Sequence, residues 1–459
     1  MRPRVVVVGG GITGLVAARA LADAGVDVVV CEADARPGGQ VRSLDVNGVV
    51  IDVGAEAVHL GAPGPAALVR ELGLDVSVLS ATQGASVMST RKGLRPLPAG
   101  VGPTGPTRLR PVLASGILSF PGLMRAGLEP LMARRKFSHD TTVGAFTRRR
   151  FGNEVTDTFV DPLLGNLHAG DIDSLSLHST AAQLVPAATG GRSLVMRRKP
   201  THAPRSGVTP LPMFANWPGG LTTLVDAIAS SSGAHLLTNA RVSGLERVGD
   251  VWRVHLADGT ALDADRVLLT TPAHVTAELL RPHAGDAADA LAAIPLASVA
   301  TVTLGFDRAA TESNRVLRDH NGILLSSRQA RTFKAATNLT RKWRLGGDLV
   351  LVRASVGRIG SDLADTLDDQ TMVARIAAEL ADLIDLRTPV GFSHVARFPR
   401  AMPQLVVGHG PRVGSARAAI AGSGLALAGC ALDGLGLVST INSGTRAAAA
   451  LVAELEGHA

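Results

Sequence analysis

The chain of 459 residues contains no tyrosine. That excludes any mechanism built on a tyrosine phenol as acid, base or nucleophile. Aromatic residues make up only 3% of the sequence. No basic run is interleaved with them, so the stacking platforms of a nucleic-acid binder are missing and no nucleic-acid partner is expected. Cysteine is confined to Cys31 and Cys430, far apart and each at or beside a strand-like apolar run. With no CxxC pair, both read as small core residues of a protein in a reducing compartment. No uninterrupted apolar stretch reaches transmembrane length. The N-terminus opens directly on a strand, leaving no room for a signal peptide, and a cytoplasmic location is expected. No metal site is expected either.

Hydrophobic residues at 46% and charged residues at 19% are those of a globular protein. At this length the chain exceeds one ordinary core and should hold two or three. The net charge of +7 is mild for its size.

The first 56 residues carry three linked signals. Arg4 to Val8 is a short apolar strand, followed at once by Gly9-Gly10-Gly11-Ile12-Thr13-Gly14. Leu15 to Ala24 then has helical periodicity, and Val26 to Cys31 is a second buried strand that ends at Glu32. In such a unit Gly9 permits the tight turn, Gly11 lets backbone approach a pyrophosphate, and Gly14 lets helix pack on strand. Glu32 stands where an acid accepts hydrogen bonds from an adenosine ribose, which favours FAD or NAD over a 2′-phosphorylated cofactor. Next come Arg36-Pro37-Gly38-Gly39-Gln40-Val41-Arg42-Ser43 and the strand Val50-Ile51-Asp52-Val53-Gly54-Ala55-Glu56.

This string resembles the flavin-containing amine oxidase and protoporphyrinogen oxidase superfamily. The resemblance implies non-covalent FAD, with Gly38 and Gly39 along its diphosphate and Arg36 supporting the same region. It places Gly54, Ala55 and Glu56 beside the flavin ring and gives the Val242 backbone to the adenine. Phe214 to Leu221, with its Gly219-Gly220 turn, and Thr270-Thr271-Pro272-Ala273 resemble later pieces of the same domain. Gly434 to Gly444 resembles the superfamily's C-terminal flavin segment, with Val438 where proline is usual. It adds Gly429, Gly436, Leu437 and Val438 to the cofactor set, and Phe398 from the preceding segment. A helix beginning there aims its N–H groups and positive dipole end at the flavin pyrimidine edge.

The implied fold class is α/β: a Rossmann-like FAD-binding domain of the amine oxidase/p-hydroxybenzoate hydroxylase type, an α+β substrate domain and a helical lobe. The expected division is 1–87, 201–274 and 416–459 for FAD, 88–200 for a helical lobe over the substrate entrance, and 275–415 for substrate. Strands are expected at 299–306, 321–325 and 348–355, and helices at 109–118 and 123–133. Arg134-Arg135-Lys136 and Arg148-Arg149-Arg150 are basic clusters in the lobe. They are candidates for peripheral contact with an anionic membrane, against the plainer reading of solvated helix faces.

Within the insertions, Asp161 to Asp171, Lys334 to Thr337, Lys342-Trp343, Arg353 to Arg358, Ala401 to Gln404 and Gly408-His409 narrow the resemblance. They resemble the protoporphyrinogen/coproporphyrinogen oxidases, especially the actinobacterial type. The implied reaction removes hydrogen from a porphyrinogen, most directly coproporphyrinogen III, and passes electrons to molecular oxygen, forming hydrogen peroxide. The flavin carries that chemistry, so no obligatory protein acid or base is demanded. Arg42, Lys342, Arg353 and Arg358 are candidate partners for substrate carboxylates. His168 and Lys342 are the candidate catalytic residues, His168 for assisting proton removal. His168, Leu405 and Ala431 stand where the family often has tyrosine, and Phe398 where tryptophan is common. The residues leave open an amine or secondary-metabolite oxidase on the same scaffold, a non-catalytic flavin-binding partner of the heme pathway, and a homodimer. No second glycine fingerprint follows a strand, which weighs against an NAD(P)H-dependent reductase.

Overall fold

The computed structural model describes residues 2–82, 84, 86–196 and 211–457. A five-stranded parallel sheet forms its base, in the order His235–Leu237, Asp27–Cys31, Arg4–Val8, Arg266–Leu269 and Leu425–Leu427. The chain therefore enters this sheet from three separated stretches. Parallel strands covered on both faces read as unbroken apolar runs, which is why Val5 to Val8 show no polar alternation. Val5 and Val7 pack with Ala17, Leu21, Ala448 and Leu451 of two helices, Ile12–Asp23 and Leu437–Gly457. Val6 and Val8 face the other way, toward Trp252, Val254 and Leu280. An antiparallel meander of Val242–Val248, Val251–Leu256 and Ala261–Ala264 covers that side. Its turn is fastened by Asp258 Oδ1, which accepts from the Thr260 N–H and hydroxyl at 2.9 and 2.7 Å.

A seven-stranded sheet stands apart from the first, in the order Val390–Pro403, Leu296–Asp307, Leu349–Val356, Phe333–Asn338, Gly322–Leu324, Val87–Thr90 and Gly93–Pro96. All its pairings are antiparallel except that of Gly322–Leu324 with Val87–Thr90. One face is buried by the helix Asp369–Ile384 through Met372, Ile376 and Leu380. The other carries Thr301, Arg353 and Phe398 toward residues 52–56: Thr301 Oγ1 donates to Val53 O at 2.6 Å, and Arg353 donates to Asp52 O and Gly54 O.

Two expectations for the first insertion change. Gly93–Pro96 extends the large sheet as its edge strand, so residues placed in a helical lobe begin as sheet. Only Leu94 of that strand packs on the apolar core, which leaves too weak an alternation to read as a strand. The helices near 109–133 are also shorter than expected: Leu109–Ser115 stops at Gly116, which takes φ +64°, and Phe120–Gly127 and Glu129–Met132 each begin next to a proline. Pro has no N–H to continue a helix but suits its first turn. The expected boundary at 200/201 lies outside the described residues. Among the described residues, no helix is long and apolar enough to cross a membrane, and no group of three or more His, Cys, Asp or Glu could hold a metal ion.

Candidate active site

The glycine turn after the first strand is shaped by backbone crowding on one side and open space on the other. A Cβ on Gly14 would lie 2.0 Å from Gly9 O, and Gly9 holds φ +108° against Thr270. Gly11 meets nothing within 4 Å. It caps the helix Ile12–Asp23 with no side-chain hydrogen bond, and that first turn holds no acidic residue. Ile12 and Thr13 are buried, and Thr13 Oγ1 donates to Thr440 O of the C-terminal helix at 3.2 Å. Gly38 N donates to Gly10 O at 2.9 Å, while Gly38 and Gly39 take φ +114° and +59°. A Cβ on Gly39 would come to 3.5 Å from Gly11 Cα. The two glycine turns thus form one groove of bare backbone.

Glu32 closes one end of this groove. Its carboxylate accepts from Gly10 N at 2.7 Å and Asp34 N at 2.8 Å, and each oxygen keeps a lone pair for another donor. Glu32→Ala is expected to weaken FAD binding by about 1–3 kcal/mol, the scale of hydrogen bonds to a charged group. Turnover at saturating FAD should stay near wild type, as equilibrium titration and steady-state assay together would check. Arg36 is exposed beside the turn, whereas Arg42 is tied to it, donating to Gly39 O at 3.1 Å and pairing with Asp34 at 3.2 Å. The Arg42 guanidinium also lies 5.6 Å from the centre of the Phe398 ring.

Phe398 reaches Gly54, where a Cβ would stand 3.3 Å from the ring and 2.0 Å from Gln40 O. Just beyond Gly54 and Ala55 lies a charge network that the sequence did not reveal. The Glu56 carboxylate accepts from Lys342 Nζ at 2.6 Å, from Trp343 Nε1 at 3.1 Å and from Arg353. Burial favours the neutral acid, but the two cations and their hydrogen bonds outweigh it and hold Glu56 at about 2. This bears on two expectations. Arg353, 8% exposed, is bonded to Asp52, Gly54 and Glu56, which ties its guanidinium to the protein itself rather than leaving it open to a substrate carboxylate. Lys342, the candidate catalytic residue, is held as a counter-ion of Glu56, whose carboxylate faces protein cations.

The C-terminal piece supplies a second bare helix start. Gly429, Gly434 and Gly436 take φ +132°, +109° and +90°, and the first turn from Leu437 and Val438 holds no acidic group. Gly429 N donates to Ser443 Oγ at 2.9 Å, and Ser443 donates to Asp433, which Arg417 and Arg446 flank. Val242 packs its side chain against the core beneath the parallel sheet, at a bulge before Gly244, so only its backbone is free to serve a ligand.

His168, the candidate for assisting proton removal, is buried. It is 7% exposed, and burial pushes its imidazole down to about 4, so it stays neutral at physiological pH and is a weak base. The signal missed in the sequence was Gln404, whose amide donates to His168 O at 3.0 Å and seals that turn. Leu405 and Ala431 are buried apolar contacts.

These features fit a dinucleotide with a flavin end. Two helix starts without acidic residues in their first turns, a groove of bare backbone and the Glu32 carboxylate at its end suit a diphosphate and its ribose. The profile of the flavin-containing amine oxidoreductases matches residues 12–452. The chain belongs to that family. The coproporphyrinogen III oxidase of Mycobacterium leprae is 33% identical, with 98% of each chain covered. That of Propionibacterium freudenreichii is 32% identical over 97% of this chain and 90% of its own. A solved structure from Exiguobacterium sp. 255-15, described as a candidate protoporphyrinogen oxidase, superimposes with a TM-score of 0.87 at 25% identity, covering 99% of both chains. Cyclohexylamine oxidase from Brevibacterium oxydans shares the fold, with a TM-score of 0.71 at 17% identity over 99% of this chain and all of its own. The protein is an oxidoreductase with the FAD-binding fold of this family, and FAD is its cofactor.

Proposed function

We propose that this protein oxidises coproporphyrinogen III to coproporphyrin III in heme biosynthesis, with molecular oxygen as acceptor and hydrogen peroxide as product. The carrying observation is near full-length identity of 32–33% to coproporphyrinogen III oxidases, joined to an intact dinucleotide cradle. Bound FAD supplies the two-electron oxidation, and the chain's own groups bind, orient and exclude water. The uncapped start of the C-terminal helix offers N–H donors and a positive dipole end to negative charge. Phe398 and the Glu56 network fix the segment after the strand Val49–Asp52, which carries Gly54 and Ala55. With His168 buried and neutral, macrocycle N–H protons are lost to solvent. Anaerobic coproporphyrinogen III should bleach the flavin, and readmitted air should give porphyrin fluorescence and peroxide. FAD-loaded protein that yields no porphyrin above the autoxidation blank would move the assignment to an amine or secondary-metabolite oxidase.

The proposal extends to a peripheral membrane contact. Phe120, Met124, Leu128 and Leu131 are exposed on consecutive short helices, followed by exposed Arg134, Arg135 and Lys136. Apolar wedges beside cations suit an anionic bilayer surface. The second basic cluster has no such role: Arg148 pairs with Asp157 and Asp173, and Arg150 is fully buried on Glu129. Binding to phosphatidylglycerol vesicles should fall at least tenfold in Phe120→Ser/Leu131→Ser. Vesicle-independent dimerisation lost in the same variant would instead assign this face to a homodimer.

A further inference from the structure

Two basic side chains, Lys334 and Arg358, lie at one end of the seven-stranded sheet, and among the described residues neither has a carboxylate within ion-pair distance. Lys334 sits at a β-bulge, where pairing with the neighbouring strand slips between Phe333 and Ala335. Bulges re-aim side chains, commonly next to active sites. Lys334 Nζ, on a residue 7% exposed, donates to Gly357 O at 2.8 Å. Gly357 is held to glycine by φ +87° and by Ser298 O, 2.4 Å from where its Cβ would be. Arg358 follows it directly and is half-buried.

The guanidinium of Arg358 is oriented by an amide. Asn166 Oδ1 accepts from Arg358 Nη2 at 3.1 Å, while Asn166 Nδ2 donates to Leu325 O and Lys334 O, both at 2.9 Å. Asn166 follows a ten-residue π-helix, Thr156–Gly165, a geometry found mostly at functional sites. The turn is locked on its other side by Ile359 N, which donates to Ala169 O at 2.8 Å. Among the described residues neither Lys334 nor Arg358 has an ion-pair partner within 4 Å. Asp161 and Asp171 act on Arg358 only from farther off, and Asp161 Oδ2 already accepts from Ser326 and Ser327.

Buried like charges are costly unless an anion joins them. Here burial, and then the charge of Arg358, bring Lys334 down to about 7. Arg358 follows the strand Leu349–Val356, which also carries Arg353, the residue bonded to Asp52, Gly54 and Glu56.

We propose that Arg358 binds one peripheral carboxylate of a polycarboxylate macrocycle, with Asn166 as its positioning residue and Lys334 as the second charge of the site. This deepens the porphyrinogen reading and rests on it. Arginine offers a planar fork matched to carboxylate geometry, and beyond the bond to Asn166 four of its five N–H groups remain for a ligand. The site gives the enzyme a preference for substrates that keep all their acidic arms.

The test measures binding of coproporphyrin III, a stable tetracarboxylate, to FAD-loaded protein by fluorescence quenching, with its tetramethyl ester as the uncharged comparison. Arg358→Gln should weaken the tetra-acid about ten- to hundredfold and leave the ester unchanged. Arg358→Lys should recover part of the loss, and Lys334→Met should weaken the tetra-acid several-fold without loss of bound FAD. Arg387→Gln, at an exposed arginine, serves as the control. Equal affinity of wild type and Arg358→Gln for the tetra-acid would overturn the site, as would an equal loss for acid and ester. Wild type that oxidises coproporphyrinogen while Arg358→Gln behaves identically removes the site alone. Wild type that neither oxidises coproporphyrinogen nor binds coproporphyrin removes the substrate reading and the site together.

Discussion

Gly11→Val should give a folded protein without flavin. A Cβ at Gly11 has no protein atom within 4 Å, and the residue's φ of −70° is open to any amino acid. The apo fold therefore tolerates valine with little strain. The same open space is where a pyrophosphate comes against the helix start, and valine fills it. Affinity for FAD should drop by at least a hundredfold while circular dichroism and the melting temperature of the apoprotein stay near wild type. Gly14→Ala makes the opposite case, because its Cβ would stand 2.0 Å from Gly9 O. That substitution should damage the turn itself and lower apoprotein stability. Stoichiometric FAD recovered with folded Gly11→Val would sink the placement of the diphosphate.

The second large effect is expected from Glu56→Ala. It leaves Arg353 and Lys342, with side chains 10% and 25% exposed, without their counter-charge. Breaking one side of a buried pair costs about 3–5 kcal/mol, because the remaining charge stays desolvated. Chemical denaturation should register a loss of that size, and Glu56→Gln should recover only a small part of it, since its single amide oxygen can accept from one side of the network alone. The pH dependence has a definite sign. A carboxyl lowered on folding from 4.5 to about 2 stabilises the protein above pH 4.5 and loses that contribution as pH falls toward 2. Wild type should therefore lose stability through that window more steeply than Glu56→Ala. Parallel acid-denaturation curves for the two proteins would disprove the network's electrostatic role.

The parallel sheet and its glycine turn were legible because local chemistry dictates them. Val5 to Val8 must be buried on both faces, and Gly9 and Gly14 occupy positions that no side chain can share. Glu32 was legible by its distance from the same turn. The network around Glu56 was not, since its partners lie 286 and 297 residues away and only the folded chain brings them together. Nothing in the sequence around Lys342 or Arg353 distinguishes an internal counter-ion from a substrate-binding cation. The setting of His168 was hidden for a related reason: its acidity is set by burial under a turn that Gln404 fastens from 236 residues away. Arg150 was read as part of a surface run because its pairing with Glu129 sits between helices whose packing is not periodic in sequence.

The contact between the helices Ile12–Asp23 and Leu437–Gly457 ties the first glycine turn to residues far along the chain. Gly444 lies so close to the first helix that a Cβ would be 2.4 Å from Thr13 O, and Thr13 Oγ1 bonds Thr440 O. The strand Leu425–Leu427 completes the parallel sheet at its edge beside Arg266–Leu269. A chain cut before Leu425 has the first glycine turn but neither the edge strand nor the second helix start. Such a truncated chain should fail to retain FAD, so that one half of the cradle is useless without residues more than 400 positions away.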